Sequence, residues 1–189
     1  MLNRELGTKL VEWSDKIAFQ SEKITFDFVK GNKHFGRCLV ATVPKRNGST
    51  IQAIMMKECE EKEIKKEAKS LYEKYKPKSI LEVGFGLGYT ATQFQECGIE
   101  KHTIVEAHPQ MVKAAKKWKE NYPNKNIEIV FEFIQDYTYD EANFDLIYDD
   151  RYEIIDRDQS YLEMLGNNGF NFRNKIKNFP CWKQIKVTS

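Results

Sequence analysis

Residues 80–89 read Ile80-Leu81-Glu82-Val83-Gly84-Phe85-Gly86-Leu87-Gly88-Tyr89. An apolar strand carries one acid and then breaks into glycine at every second position. Chains do this where the backbone turns sharply and lies against a ligand, because glycine takes positive φ and has no Cβ to hold the ligand away. The helix expected next offers free N–H groups at its first turn. Strand, glycine turn and helix together open a nucleotide-binding α/β unit. A dinucleotide fingerprint spaces its glycines Gly-x-Gly-x-x-Gly around a pyrophosphate; here the spacing is Gly-x-Gly-x-Gly, with Glu82 two residues before the first glycine.

Downstream, Lys101–Glu106 reads as the next strand and ends in a second acid. Glu106 follows the glycine loop by about the 20 residues expected for a carboxylate that accepts from ribose hydroxyls. Pro109 falls near the first position of a helix, where its missing N–H costs nothing. Met111, Val112, Ala115 and Trp118 mark that helix's inner face, Ile127–Phe131 the third strand and Phe144–Asp149 the fourth. Strands alternating with helices predict a parallel sheet with right-handed crossovers. Ligands then bind beyond the carboxyl ends of the strands. Gly84, Glu106, Asp136 and Asp149 all fall at such ends.

Upstream, a short leading helix precedes strand-like segments. Ile24–Val29 alternates with the two-residue period of a half-buried strand, Gly31-Asn32 signals a turn, and Arg37–Val43 is a second strand closed by Pro44 and Asn47-Gly48. Ser49–Met55 is a candidate third strand. From Lys57 to Tyr75 the period becomes helical, with Ile64, Ala68, Leu71, Tyr72 and Tyr75 on one face, and Pro77 ends the helix. The tail leaves room for one or two short strands, so the sheet is either trimmed or covered at its edge by a second copy of the chain.

Composition bounds the remaining choices. The chain has 189 residues, enough for a single core, with 41% hydrophobic and 31% charged residues. A net charge of +2 argues against a polyanion binder, and Lys113, Lys116, Lys117 and Lys119 read as a solvated helix face rather than a nucleic-acid surface. No apolar run reaches the length of a membrane span, and no signal-like segment opens the chain. Four scattered cysteines and three dispersed histidines form no metal pattern, so no metal is expected and a reducing cytoplasm is the default.

The glycine loop with its leading acid resembles motif I of the class I S-adenosylmethionine-dependent methyltransferases. Residues 161–172 resemble the helix, glycine turn and fifth strand of the same family. Three segments are similar to the guanidinoacetate and arginine N-methyltransferase group: Leu81–Gly86 with phenylalanine between glycines, Thr103–Pro109, and Phe144–Asp149. Met55–Glu60 resembles the group's Met-x-x-Trp-Glu segment, with Cys59 in place of tryptophan; Lys62-Glu63 and Asp150-Arg151-Tyr152 are further departures around the acceptor pocket. The resemblance implies an α/β, Rossmann-like, mostly parallel sheet with helices on both faces, a shortened C-terminal part and a small N-terminal antiparallel extension. With the strand-like pattern of its first part, the chain divides into an extension or lid (1–55) and a cofactor-binding domain (56–189).

The same resemblance implies S-adenosyl-L-methionine as cofactor. Glu82 is then expected at its amino acid part, and Gly84, Phe85, Gly86, Gly88 and Tyr89 form the loop beneath it. Glu106 and Ala107 lie at the ribose. Gln135 and Asp136 lie at the adenine, with Phe133 or Ile134 against the ring. Asp149 and Asp150, and less directly Glu60, are the catalytic candidates that hold a nitrogen acceptor and take its proton. The acceptor class is a small amine, guanidine or peptide group. A non-catalytic cofactor-binding module and an aminopropyl-transferring enzyme of the same fold stay open at this level. Nicotinamide dinucleotide binding is disfavoured by the glycine spacing.

Overall fold

A computed structural model describes residues 24–31, 33–44, 49–134, 136–149 and 184–187. The leading helix, the Asn47-Gly48 turn, Asn32, Gln135, Asp150 and the reading of residues 161–172 lie outside the described residues.

The N-terminal extension is a three-stranded antiparallel sheet of β1 (Thr25–Lys30), β2 (Arg37–Pro44) and β3 (Thr50–Lys57), in that order. The third strand runs two residues further than its alternation indicates. Pairing of Met56 and Lys57 with Leu39 and Cys38 holds those residues extended. One 3-10 turn, Glu58–Glu60, then leads into α1 (Glu61–Tyr75), so the helix begins later than its charge pattern implies. Two local bonds set this start: Glu60 Oε2 accepts the Lys57 N–H at 3.0 Å, and the Cys59 N–H donates to the Phe35 carbonyl at 3.2 Å. Helix α1 buries Ala68, and it ends at Lys76 in the left-handed region (φ 49°) just ahead of Pro77.

The main sheet contains β4 (Ser79–Val83), β5 (Lys101–Glu106), β6 (Asn126–Phe131), β7 (Leu146–Asp149) and β8 (Gln184–Val187), in the order β6-β5-β4-β7-β8. The first four are mutually parallel, and β8 joins β7 antiparallel. Helix α2 (Tyr89–Cys97) follows β4, and α3 (Pro109–Lys119) follows β5. The chain leaves β4 toward β5 and β6 on one side and returns to β7 on the other. The gap between the ends of β4 and β7 is therefore the place where strand order reverses and where such sheets hold ligands.

Register explains which side chains meet. Ile80, Leu146 and Tyr148 share a cluster with Phe94, Ile99 and Ala68, while Leu81, Val105, Phe144 and Ile147 form another. A third cluster joins the two sheets: Ile24, Phe26, Leu39 and Ala41 from the extension pack with Phe85, Ala91, Ile104, Met111 and Ala115. Polar bonds tie the same junction. The Phe26 N–H donates to Gln110 Oε1 at 2.9 Å, and His108 Nε2 donates to the Ile24 carbonyl at 2.6 Å. No helix among the described residues is long and apolar enough to cross a membrane.

Candidate functional site

The glycine loop fills the turn between β4 and α2. Gly84, Gly86 and Gly88 all have positive φ, at 84°, 54° and 72°, but they face different surroundings. A Cβ on Gly84 meets nothing within 4 Å. One on Gly86 would lie 2.9 Å from Met56 Cε, and one on Gly88 would lie 2.7 Å from the Phe85 ring. Bare main chain at Gly84 thus borders open space at the switch point, while Gly88 is glycine because Phe85 folds beneath it. Phe85 is buried and tilts against Trp118 at 5.6 Å, so its ring belongs to the core and its main chain to the loop.

Glu106 closes the next strand end. Its carboxylate accepts the N–H groups of Phe85 and His108, each at 2.9 Å. Burial pushes its pKa above the usual carboxylate range, and N–H donors from Phe85, His108 and Ala107 oppose the rise. This acid therefore ties the glycine loop to the end of β5 and sets Ala107 beside it. Gly84 completes the seam by donating its N–H to the Val105 carbonyl at 2.8 Å.

Glu82 lies one layer below, 2% exposed, on the face of β4 covered by α2. Its Oε2 lies 2.9 Å from His102 Nε2, and His102 Nδ1 lies 3.0 Å from Gln95 Nε2. Asp149 ends β7 directly beside Val83 in the register and is buried. Three acids, Glu82, Glu106 and Asp149, thus stand at or next to the ends of three adjacent strands. Acids in such a place fit a ligand that carries hydroxyls and positive charge.

The remaining candidates are more dispersed. Asp136 is exposed in the turn after β6, where its N–H donates to the Phe133 carbonyl at 3.0 Å. Phe133 is buried and Ile134 packs against the cluster of Leu81 and Val105. Tyr89 opens α2 half-buried, and burial with the nearby Glu61 and Glu58 carboxylates pushes its pKa up to about 12. That places it between the glycine loop and the 3-10 turn. Glu60, in that turn, uses one oxygen to cap Lys57.

Four residues to which the sequence assigned no role also build the site. Met56 lies against the loop, its Sδ accepting the Leu87 N–H at 3.4 Å. His102 holds Glu82, while His108 and Gln110 connect the β5 end to the extension. The two-residue alternation of Lys101–Glu106 puts His102 on the face of Ile104, which pairs with Glu82. That alternation was the available signal.

Residues 50–174 match the family described as guanidinoacetate N-methyltransferase. A 41-residue stretch is 54% identical to protein arginine N-methyltransferase 2 of Cryptococcus neoformans var. neoformans serotype D (strain B-3501A). That stretch is 21% of this chain and spans only 11% of the fungal protein's length. The matched span of 125 residues covers β3, the glycine loop, Glu106 and Asp149, two thirds of the chain. On that match and on the sheet it describes, the chain belongs to the guanidinoacetate N-methyltransferase family.

Proposed function

We propose that this protein is an S-adenosylmethionine-dependent methyltransferase acting on nitrogen of a small amine, guanidine or peptide group. The observation that carries the reading is the juxtaposition at the switch point: open main chain at Gly84, with Glu106 on one side and Asp149 on the other. When bound, the cofactor supplies a methyl group on a cationic sulfur. The residues present fit such a group. Glu106 has the acceptor capacity for two ribose hydroxyls, Glu82 provides negative charge below the loop, and Gly84 leaves room at the main chain. Asp136 and its sequence neighbour Gln135 serve the adenine, with Phe133 or Ile134 against the ring.

Asp149 is the group that holds the acceptor. A buried carboxylate beside the loop orients an N–H and takes its proton as the nitrogen gains carbon. Asp150 adds a second carboxylate there in sequence, and Glu60 a third from the 3-10 turn. Tyr89 and the antiparallel extension shield the cleft from water. Cytoplasmic location is part of the same proposal.

Calorimetry with S-adenosylmethionine, its demethylated product, its decarboxylated form and NAD is the first test, followed by mass analysis of guanidino acids and arginine peptides incubated with protein and cofactor. Saturable binding of the first two, with a product heavier by one methyl in place of one hydrogen, supports the proposal. Tighter binding of the decarboxylated form would move the reading to aminopropyl transfer. Binding without turnover on any acceptor would leave a cofactor-sensing module.

A further inference from the structure

Beneath the glycine loop runs a chain of buried polar side chains that packing alone does not require. Gln95 on α2, His102 on β5 and Glu82 on β4 are 4%, 0% and 2% exposed. Gln95 Nε2 stands 3.0 Å from His102 Nδ1, and His102 Nε2 stands 2.9 Å from Glu82 Oε2. Phe94 and Trp118 meet the imidazole edge to face, with centroids 6.2 and 6.4 Å away. Trp118 is itself fixed by its Nε1–H, which donates to Thr92 Oγ1 at 3.0 Å.

The donors set the direction of the chain. Gln95 donates an amide N–H to Nδ1, so Nδ1 carries the lone pair and the ring proton sits on Nε2. His102 then donates its Nε2–H to the Glu82 carboxylate at 2.9 Å. Among the described residues Gln95 Oε1 is buried without a hydrogen-bond partner, so the amide is held by its N–H side toward the ring.

We propose that His102 is a positioning residue: set by Gln95, it fixes the orientation of the Glu82 carboxylate for the ammonium of the cofactor's amino acid part. This rests on the reading of the loop as an S-adenosylmethionine site. Charge-assisted hydrogen bonds are short and directional, so a carboxylate aimed by a buried donor meets an ammonium in a defined direction.

The test compares two nucleosides. S-Adenosylmethionine carries the amino acid part, and 5′-methylthioadenosine lacks it. His102→Leu should weaken binding of the first about tenfold, the size of a lost hydrogen bond to a charged group, and leave binding of the second within about twofold. His102→Gln, whose amide donates near the same point, should restore most of the loss. Gln95→Leu should give a smaller loss of the same selectivity, and it supplies the answer if His102→Leu does not fold. Equal weakening for both nucleosides, or no change for either, would overturn the proposal by reducing His102 to packing. If the unaltered protein binds neither nucleoside, the cofactor reading itself fails, a result visible before any variant is made.

Discussion

The Glu106 carboxylate accepts the main-chain N–H of Phe85 at 2.9 Å, joining the tip of β5 to the middle of the glycine loop. Its other oxygen accepts from His108. One side chain therefore holds the loop in shape and offers its remaining lone pairs to a ligand. Glu106→Gln keeps the size but turns an NH2 toward one of two N–H donors. We expect unfolding free energy to fall by about 1–3 kcal/mol and S-adenosylmethionine affinity to fall at least tenfold, as measured by urea titration and calorimetry. Because burial raises the Glu106 pKa, affinity should also fall on acidification while the pH is still above the ordinary carboxylate range. Folding stability from this group moves the opposite way, being lost as pH rises through the raised value.

The glycines separate stability from binding. Gly84→Ala places a methyl in open space and adds only the left-handed penalty of about 1–2 kcal/mol. Nucleoside affinity should drop far more than stability does. Gly88→Ala drives a methyl against the Phe85 ring, so its main effect should be a lower melting temperature. Equal melting temperatures for the two variants would contradict the assignment.

Asp149→Asn should lower the turnover number about a hundredfold or more, the usual worth of a positioned base, while cofactor affinity changes little. Steady-state kinetics beside calorimetry distinguishes the two. A parallel loss of affinity would place Asp149 on the cofactor and not on the acceptor.

Asp145 supplies a pH test of the fold away from the cleft. It accepts the N–H groups of Ser79 and Lys78 at 2.9 and 2.8 Å, clamping the starts of β7 and β4 together. These donors, Ser79 foremost, hold its carboxyl below the usual aspartate range. The stabilisation is present above the unfolded-state value and lost as pH falls through the lowered one. Asp145→Asn should cost about 1 kcal/mol at neutral pH, a modest figure because the group is exposed. The difference from the parent protein should vanish in strong acid, as followed by urea unfolding across pH.

Much of this was readable from residue order. The strand Ser79–Val83 and the helix beginning at Pro109 fall where pattern and proline chemistry put them. Both depend on local rules: an apolar run ended by glycine, and a ring that replaces an unneeded N–H. The extent of β3 was not readable, because Met56 and Lys57 are held extended by Leu39 and Cys38, residues far back in the chain. The histidines were opaque for the same reason. His102 finds Glu82 20 residues away, and His108 finds Ile24 84 residues away. Alternation along Lys101–Glu106 assigns His102 a face, but only the sheet register names its partner. Likewise, Glu82 read as a ligand-facing acid, and only the register reveals what stands behind it.

His108 has one further consequence. Its main-chain N–H belongs to Glu106, and its ring belongs to Ile24 at the head of β1. A nucleoside that tightens the acid is then expected to reduce the local opening of a strand in the other sheet, through a residue that bonds both. Deuterium uptake at the β1 amides should slow when the nucleoside is added, although β1 lies in the other sheet.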